Sequence, residues 1–295
     1  MPPVLVLRAG RPRRLPPGWE LVTEDGARLH RLPADLAPGY HRLLRHSDGA
    51  GALVVLSPGA CHLPADLRGW GFAVQLYALR SQKSWGLGDL ADLRRLATWS
   101  RGRGAAFLMT SPLGAALPTL PQEPSPYYAS SRIWLNPLHL RLEEVPGAER
   151  LGADLERLAK LSRALNRDRH LDRDQVYRLK LEALESLYGR GDPPAEFERW
   201  RAAQGRLLEL FATFCVLAER HQTGWHGWPE EHQHPDRPQV ARLAARLRAR
   251  TRFHAWVQWQ LDRQLERAGR ALPLLNDLPV GVRPDGADAW VWQDV

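Results

Sequence analysis

Paired carboxylates are the first groups in this sequence that could do chemistry, because two carboxyl groups can share the roles of nucleophile and acid or base. Adjacent acids occur at Glu143-Glu144 and Glu230-Glu231, in segments predicted to lie at the surface. Three aspartates lie in a charged helical stretch beside arginines, which predicts solvated ion pairs: Asp168, Asp172 and Asp174. We therefore predict no pair of carboxylates poised across a reacting bond, and no catalytic residue in this chain.

Histidines and glycines offer two other kinds of site. The stretch around His232 and His234 could ligate zinc, but no cysteine or ordered ligand spacing accompanies it, so we predict no metal. Gly86 and Gly88 are typical of a phosphate-binding loop only as part of a longer pattern, which this segment lacks. A turn is the preferred interpretation, and no cofactor is expected.

Charge, cysteine content and hydrophobic patterning limit the classes of binding partner and the cellular compartment that we expect. The formal net charge is +8, but the arginines are interleaved with acids along the chain, which disfavours nucleic-acid binding through a basic stripe. The two cysteines are far apart, which argues against a disulfide framework and fits a reducing cytosol. Neither a signal peptide nor an apolar run of about 20 residues is visible, so we expect a cytoplasmic protein without a membrane segment.

The elements that must position these side chains fall into four predicted parts. Residues 1–66 are rich in proline and glycine around short apolar runs, which predicts a small β-rich, sandwich-like domain. Residues 67–148 read as strand (71–79), helix (89–101, with Asp89 as N-cap) and strand (105–109), followed by a loop at 111–132. A loop that long inside a compact domain is usually functional or disordered.

The second half of the chain is predicted to be mainly helical. Residues 149–245 form a helical insertion, interrupted at Gly191-Asp-Pro-Pro194. Residues 246–295 continue a helix predicted at 240–269 and add a buried strand at 271–275. Three barrel-type strands result, whereas a closed (β/α)₈ barrel needs eight. The fold class predicted is therefore α/β: a small β domain followed by an incomplete (β/α)₈ barrel with an inserted helical subdomain.

Three groups of segments resemble one known family. The first is Gln75–Ser81 with Ser84–Leu90, and the second is Pro124–Arg132 with Leu135-Asn-Pro-Leu138. The third is Phe253–Trp259, followed by Asn276-Asp-Leu-Pro-Val-Gly-Val282 and by residues 285–290. In this order and spacing, over residues 66–295, the chain resembles the 4-α-glucanotransferases, or amylomaltases.

The resemblance implies transfer of α-1,4-glucan segments between maltooligosaccharide acceptors by a retaining double displacement. It implies that Tyr127 contacts a bound glucose ring and that Asp277 hydrogen-bonds sugar hydroxyls. Ser125, Asn136 and Trp290 are further substrate-binding candidates, each with a structural role as the alternative. The family's catalytic aspartate and glutamate segments do not occur in these residues, so we expect the chain to be inactive alone.

Three functions stay open. The first is one piece of a 4-α-glucanotransferase, completed by later residues of a longer polypeptide or by a second chain that carries the rest of the barrel. The second is a non-catalytic α-glucan-binding remnant, which would bind maltooligosaccharides without transfer. The third is an arginine-rich helical interaction protein, which the scattered charges disfavour.

Overall fold

The computed structural model describes residues 2–61 and 68–294, which belong to two compact units, Met1–Arg68 and Gly69–Val295. The predicted end of the first domain at residue 66 lies outside the described residues. Each unit has its own buried core.

The first unit is β-rich. It contains the strands β1 (Val4–Arg8), β2 (Arg13–Arg14), β3 (Trp19–Val22), β4 (Arg28–Leu29), β5 (Arg31–Leu32), β6 (Gly39–Arg45) and β7 (Gly51–Ser57). A five-stranded sheet has the order β1-β7-β6-β3-β4, with β1 parallel to β7, while β2 and β5 form a separate antiparallel pair. Alternate residues point inward, so Leu21, Leu43, Val54 and Leu56 form the core of the sheet.

The second unit is built on a three-stranded parallel sheet. Its strands are β8 (Gly71–Val74), β9 (Phe107–Thr110) and, much later in the chain, β12 (Leu274–Asn276), in the order β12-β9-β8. Helix α1 (Leu90–Arg101) connects β8 to β9. The three predicted barrel-type strands thus lie side by side, and among the described residues β8 and β12 each pair with a strand on one side only.

The strand bounds differ from the predicted ones for local reasons. The apolar run predicted as a strand over 71–79 leaves the sheet after Val74, because Leu76–Ala78 form a 3-10 helix. The last strand begins at Leu274 rather than at residue 271, since the preceding helix continues to Ala271. Within the predicted loop 111–132, Gly114–Ala115 (β10) pairs with Ser131–Leu135 (β11), which no alternating pattern predicts.

Helices surround this sheet. They are α2 (Ala153–Ala164), α3 (Arg173–Tyr188), α4 (Ala195–His221), α5 (Pro238–Arg246), α6 (Arg248–Ala271) and α7 (Ala287–Val291). The predicted break after α3 is confirmed, but the single helix predicted over 240–269 is wrong, because Leu247 leaves helical geometry and separates α5 from α6. The predicted apolar stripe of α6 is buried, from Phe253 to Leu261.

Two glutamines of α6 hold the segment after β11. The Gln258 amide accepts a hydrogen bond from the Leu135 backbone nitrogen (2.9 Å) and donates one to its carbonyl (2.8 Å). Gln264 makes the same pair of bonds to the backbone of Arg141. Each amide supplies the donor and the acceptor that a neighbouring strand would supply, so α6 fixes residues 135–141 without a sheet.

A buried polar network fixes the turn before α1. Asp89 caps the helix, as predicted, by accepting from the Ala91 and Asp92 backbone nitrogens. The Arg141 guanidinium bonds to Asp89 and lies 3.0 Å from Asp92, and all three side chains are buried. Gly86 has a φ of +77°, so the turn interpretation of the glycine pair is confirmed.

Candidate functional site

The carboxyl ends of the three parallel strands carry a cluster of polar side chains. Thr110 ends β9, and its Oγ1 lies 3.2 Å from Oδ1 of Asn276, the last residue of β12. The Ser111 hydroxyl accepts from the Leu76 backbone nitrogen just after β8. Parallel strands end at the same edge of a sheet, and α/β proteins bind ligands at that edge.

The structure brings together the two favoured sugar-contact candidates. The Tyr127 hydroxyl donates a hydrogen bond of 2.7 Å to Oδ2 of Asp277, across 150 residues of sequence. Asp277 follows β12 directly, and its backbone nitrogen donates to the Thr110 carbonyl. Tyr127 is 55% exposed, so the phenol ring presents a free surface beside a carboxylate.

Asp277 also sets the ionisation of its partner. The carboxylate accepts the phenol proton in a hydrogen bond, and this bond raises the pKa of Tyr127 above its ordinary value. At neutral pH the pair therefore consists of a neutral phenol, which donates, and a carboxylate with further acceptor capacity. Such a pair can bind a hydroxyl-rich ligand, with the ring as an apolar face.

Ser125 and Asn136 hold the backbone around this site. The Ser125 hydroxyl accepts from the Tyr127 backbone nitrogen at 3.3 Å, which orients the tyrosine. Asn136 caps the 3-10 helix Pro137–His139 by accepting from the Leu138 nitrogen. Both residues also line one cleft with Tyr77 and Tyr128. Their observed contacts are structural, and direct ligand contact stays a prediction.

Trp290 lies in the core of the second unit. Its side chain is 0% exposed, its ring packs against Phe214 and Trp228, and its indole nitrogen donates to the His232 carbonyl. A side chain without accessible surface cannot contact a sugar in this structure. The position therefore does not support the predicted role in substrate binding.

Sequence reasoning missed the residues that hold the Tyr127 loop in place. Arg283 forms an ion pair with Asp285 at 2.6 Å and a second one with Glu123 at 3.4 Å, and its guanidinium lies over the Tyr128 ring. Ser130 receives hydrogen bonds from the start of α7 through both its hydroxyl and its carbonyl. The sequence contained part of the information needed to find these residues, since the segments at 124–132 and 285–290 both carry the family resemblance.

The charged clusters considered at first have structural partners. Glu143 accepts from the Trp85 indole and pairs with Arg163, and Glu144 forms two hydrogen bonds with Arg94. The ion pairs predicted for the aspartates at 168–174 are not observed among the described residues. Asp172 caps α3, Asp174 accepts from the Gln122 backbone nitrogen, and Arg80 contacts the backbone carbonyl of Asp168.

Two histidines of the histidine-rich stretch contact each other. His221 Nε2 lies 3.0 Å from His232 Nδ1, and burial together with the neighbouring His232 lowers the pKa of His221. Within residues 2–61 and 68–294, no group of three or more potential metal-ligating side chains comes together.

These features define an α/β protein with a cluster of polar side chains at the carboxyl ends of a parallel sheet. The chain belongs to the 4-alpha-glucanotransferase family, whose sequence profile matches residues 74–295, and the predicted resemblance is thereby confirmed. No helix in the described part of the chain is long and apolar enough to cross a membrane.

Relatives and solved structures agree with this family. A 4-alpha-glucanotransferase of Mycobacterium tuberculosis is 43% identical over 90% of this chain and 40% of its own length. The Haemophilus influenzae 4-alpha-glucanotransferase is 31% identical over 85% of this chain and 41% of its own length. The chain thus spans about two fifths of these relatives.

Two solved structures share the fold. Amylomaltase from Corynebacterium glutamicum superposes with a TM-score of 0.66 and 28% identity, over 98% of this chain and 46% of that one. Amylomaltase from Streptococcus agalactiae in complex with acarbose gives a TM-score of 0.61 over 77% of this chain and 46% of that one. At 15% identity, the second match shows the fold alone.

Proposed function

We propose that this chain supplies the α-1,4-glucan-binding front part of a 4-α-glucanotransferase. The observation that carries the proposal is the Tyr127–Asp277 hydrogen bond, which joins two loops at the carboxyl edge of the sheet. Family membership supports maltooligosaccharides as ligands, since the relatives are 4-alpha-glucanotransferases. The tyrosine ring offers a stacking face and Asp277 offers acceptors for sugar hydroxyls.

The transfer chemistry requires a nucleophilic carboxylate and a second carboxyl group as acid and base. We propose that both come from polypeptide that corresponds to the part of the relatives outside the matched region. That polypeptide also completes the barrel by pairing with the open edges of β8 and β12. The apolar face that shares Ala73, Met109 and Leu275 supports this, because Met109 is 37% and Leu275 49% exposed.

Calorimetric titration with maltoheptaose tests the binding role. Tyr127→Ala and Asp277→Asn should each weaken binding by about tenfold, because each removes a contact that spans the two loops. Tyr40→Ala is the matched control, since Tyr40 is similarly exposed (63%) but lies in the first unit. Unchanged affinity in both site variants would show that the glucan does not bind at this edge.

A non-catalytic glucan-binding protein is the second candidate. This function makes the same prediction for glucan binding. It differs because no glucan transfer should appear even when polypeptide corresponding to the rest of the relatives is added. Purified chain alone should release no glucose from maltotriose under either function. Glucose release by the chain alone would contradict the placement of the catalytic carboxylates elsewhere.

A further inference from the structure

A second pocket opens on the helical side of the second unit. Its walls are the 3-10 helix Ala148–Leu151, the loop 189–194 after α3, and one face of α6. It shares no lining residue with the loop that carries Tyr127. The proposed glucan site therefore does not account for it.

The α6 wall is formed by residues at helical spacing. Trp256, Trp259, Gln260 and Arg263 occupy positions i, i+3, i+4 and i+7, which lie on one face of a helix. The first three are 5%, 2% and 3% exposed, respectively, so protein covers most of each side chain and holds it in place.

The polar groups on this wall have no protein partners among the described residues. Neither indole nitrogen nor the Gln260 amide makes a hydrogen bond there, and these atoms keep access to solvent. Gln258 and Gln264 on the same helix are instead paired with backbone groups at both amide atoms. The polar atoms of Trp256, Trp259 and Gln260 are therefore available to a ligand in the pocket.

Three arginines surround the opening. Arg190 donates to the Arg150 backbone carbonyl and to Asp154, and both arginines line the pocket. Arg263 stacks over the Trp259 ring at 4.7 Å. Within the described residues, neither Arg150 nor Arg263 has an acidic side chain within ion-pair distance.

Asp192 is the acidic residue among those that line the pocket, and it does not neutralise these arginines. Its carboxylate is 98% exposed and lies 3.7 Å from Arg252, which lies outside the pocket lining. The residues that line the pocket therefore carry an excess of positive charge.

Indole and guanidinium groups can only donate hydrogen bonds, so the pocket requires a ligand rich in acceptors. The positive charge of the lining favours an anionic ligand, and the planar guanidinium group matches the oxygens of a phosphate well. We propose that this pocket binds the phosphate group of a small phosphate-bearing ligand, with the Gln260 amide available to a neighbouring hydroxyl.

Calorimetric titration of the full chain tests the proposal with three probes: glucose 1-phosphate, inorganic phosphate and maltose. The two phosphate probes should bind saturably and maltose should not bind at this pocket. Arg263→Gln should weaken phosphate binding by about tenfold, through the loss of one charge-assisted contact. Arg150→Gln serves as a second variant in case loss of the Trp259 contact disturbs folding. Arg242→Gln, an exposed arginine on α5 outside the pocket, is the matched control.

Each outcome decides the proposal. Tighter binding of glucose 1-phosphate than of inorganic phosphate identifies a sugar phosphate, and equal binding identifies free phosphate. Absence of saturable phosphate binding, or unchanged binding in both pocket variants, overturns it. Tyr127→Ala should leave phosphate binding unchanged, so failure here and failure of the glucan site are distinguishable.

Discussion

Two buried basic side chains in the second unit, His139 and Lys180, have lowered pKa values. His139 is buried behind the turn before α1, with its Nδ1 3.2 Å from the Gly88 carbonyl. Burial lowers the pKa of His139 to about 4, and the nearby Lys180 and Arg173 act in the same direction. Burial also lowers the pKa of Lys180 to about 8, although its ammonium donates to the carbonyls of Leu138 and Leu140. Two basic side chains thus hold their protons less firmly than they would in water.

His139 should make the fold sensitive to mild acid. An unfolded histidine takes up a proton near pH 6.5, whereas the folded one does so only near pH 4. Because the unfolded state binds the proton first, stability is present above pH 6.5 and falls as the pH drops towards 4, by an amount on the order of 3 kcal/mol. Urea unfolding across this range should show a smaller loss of stability in His139→Gln.

His170→Gln is the control for this measurement, because His170 is an exposed histidine of the same unit. That variant should keep the pH dependence of the parent chain. An identical loss of stability in His139→Gln and in the parent would show that His139 does not titrate differently on folding.

The turn between β8 and α1 shows how tightly one element is constrained. A Cβ atom added at Gly88 would lie 2.0 Å from the Leu76 carbonyl oxygen and 2.4 Å from that of Leu79. Both atoms belong to the backbone around the 3-10 helix that follows β8, so no side-chain rotation relieves the contact. The turn and the first strand must therefore shift together if this position carries any side chain.

Gly88→Ala should lower the free energy of unfolding by roughly 3 kcal/mol or more, which is the upper range for overpacking of a rigid site. Gly269→Ala is the control: Gly269 lies within α6 and a Cβ there meets nothing within 4 Å. That change should stabilise the chain by about 0.5–1 kcal/mol through helix propensity. Equal effects of the two substitutions in denaturant unfolding would contradict the close approach at Gly88.

Local patterns predicted the elements that depend on local physics. The Asp89 cap, the buried stripe of α6 and the break after α3 follow from capping chemistry, periodicity and a Gly-Asp-Pro-Pro sequence. The break at Leu247 lies in a run of good helix formers, so only tertiary packing can impose it. The Tyr127–Asp277 bond similarly depends on the path of a long loop, which distant partners such as Arg283 determine.

In the second unit, the three-stranded parallel sheet is open at both edges among the described residues, whereas the family fold is a closed barrel. Trp70, Phe72 and Trp99 form an exposed aromatic cluster beside β8, with ring centroids 5.2 and 5.6 Å apart. Exposed aromatic surface next to an edge strand of a parallel sheet is typical of a position that another βα unit covers. At the opposite edge of the sheet, β12 also pairs with a strand on one side only among the described residues.

Complementation should therefore restore a barrel. We expect the chain to form a complex with the part of the Mycobacterium tuberculosis relative that lies beyond the matched region, produced as a separate polypeptide. Sedimentation should detect the complex, tryptophan quenching by acrylamide should decrease as Trp70 and Trp99 become covered, and glucose should be released from maltotriose.

Leu275→Lys should weaken this complex because it places a charge on the exposed face of β12. Leu207→Lys is the control, since Leu207 is a comparably exposed leucine (38%) on α4. A complex without any glucan transfer would favour the non-catalytic function, and absence of a complex would contradict barrel completion by this surface.

The hydrogen bond between Tyr127 and Asp277 affects the enthalpy with which a hydroxyl group binds at this position. In the empty site, the phenol satisfies one of the carboxylate's acceptor positions, so the two loops arrive already joined. A hydroxyl that binds there exchanges one hydrogen bond for another of similar strength, which makes the exchange nearly neutral in enthalpy. The two loops can thus be held together before binding and still exchange this internal hydrogen bond for one to a ligand hydroxyl.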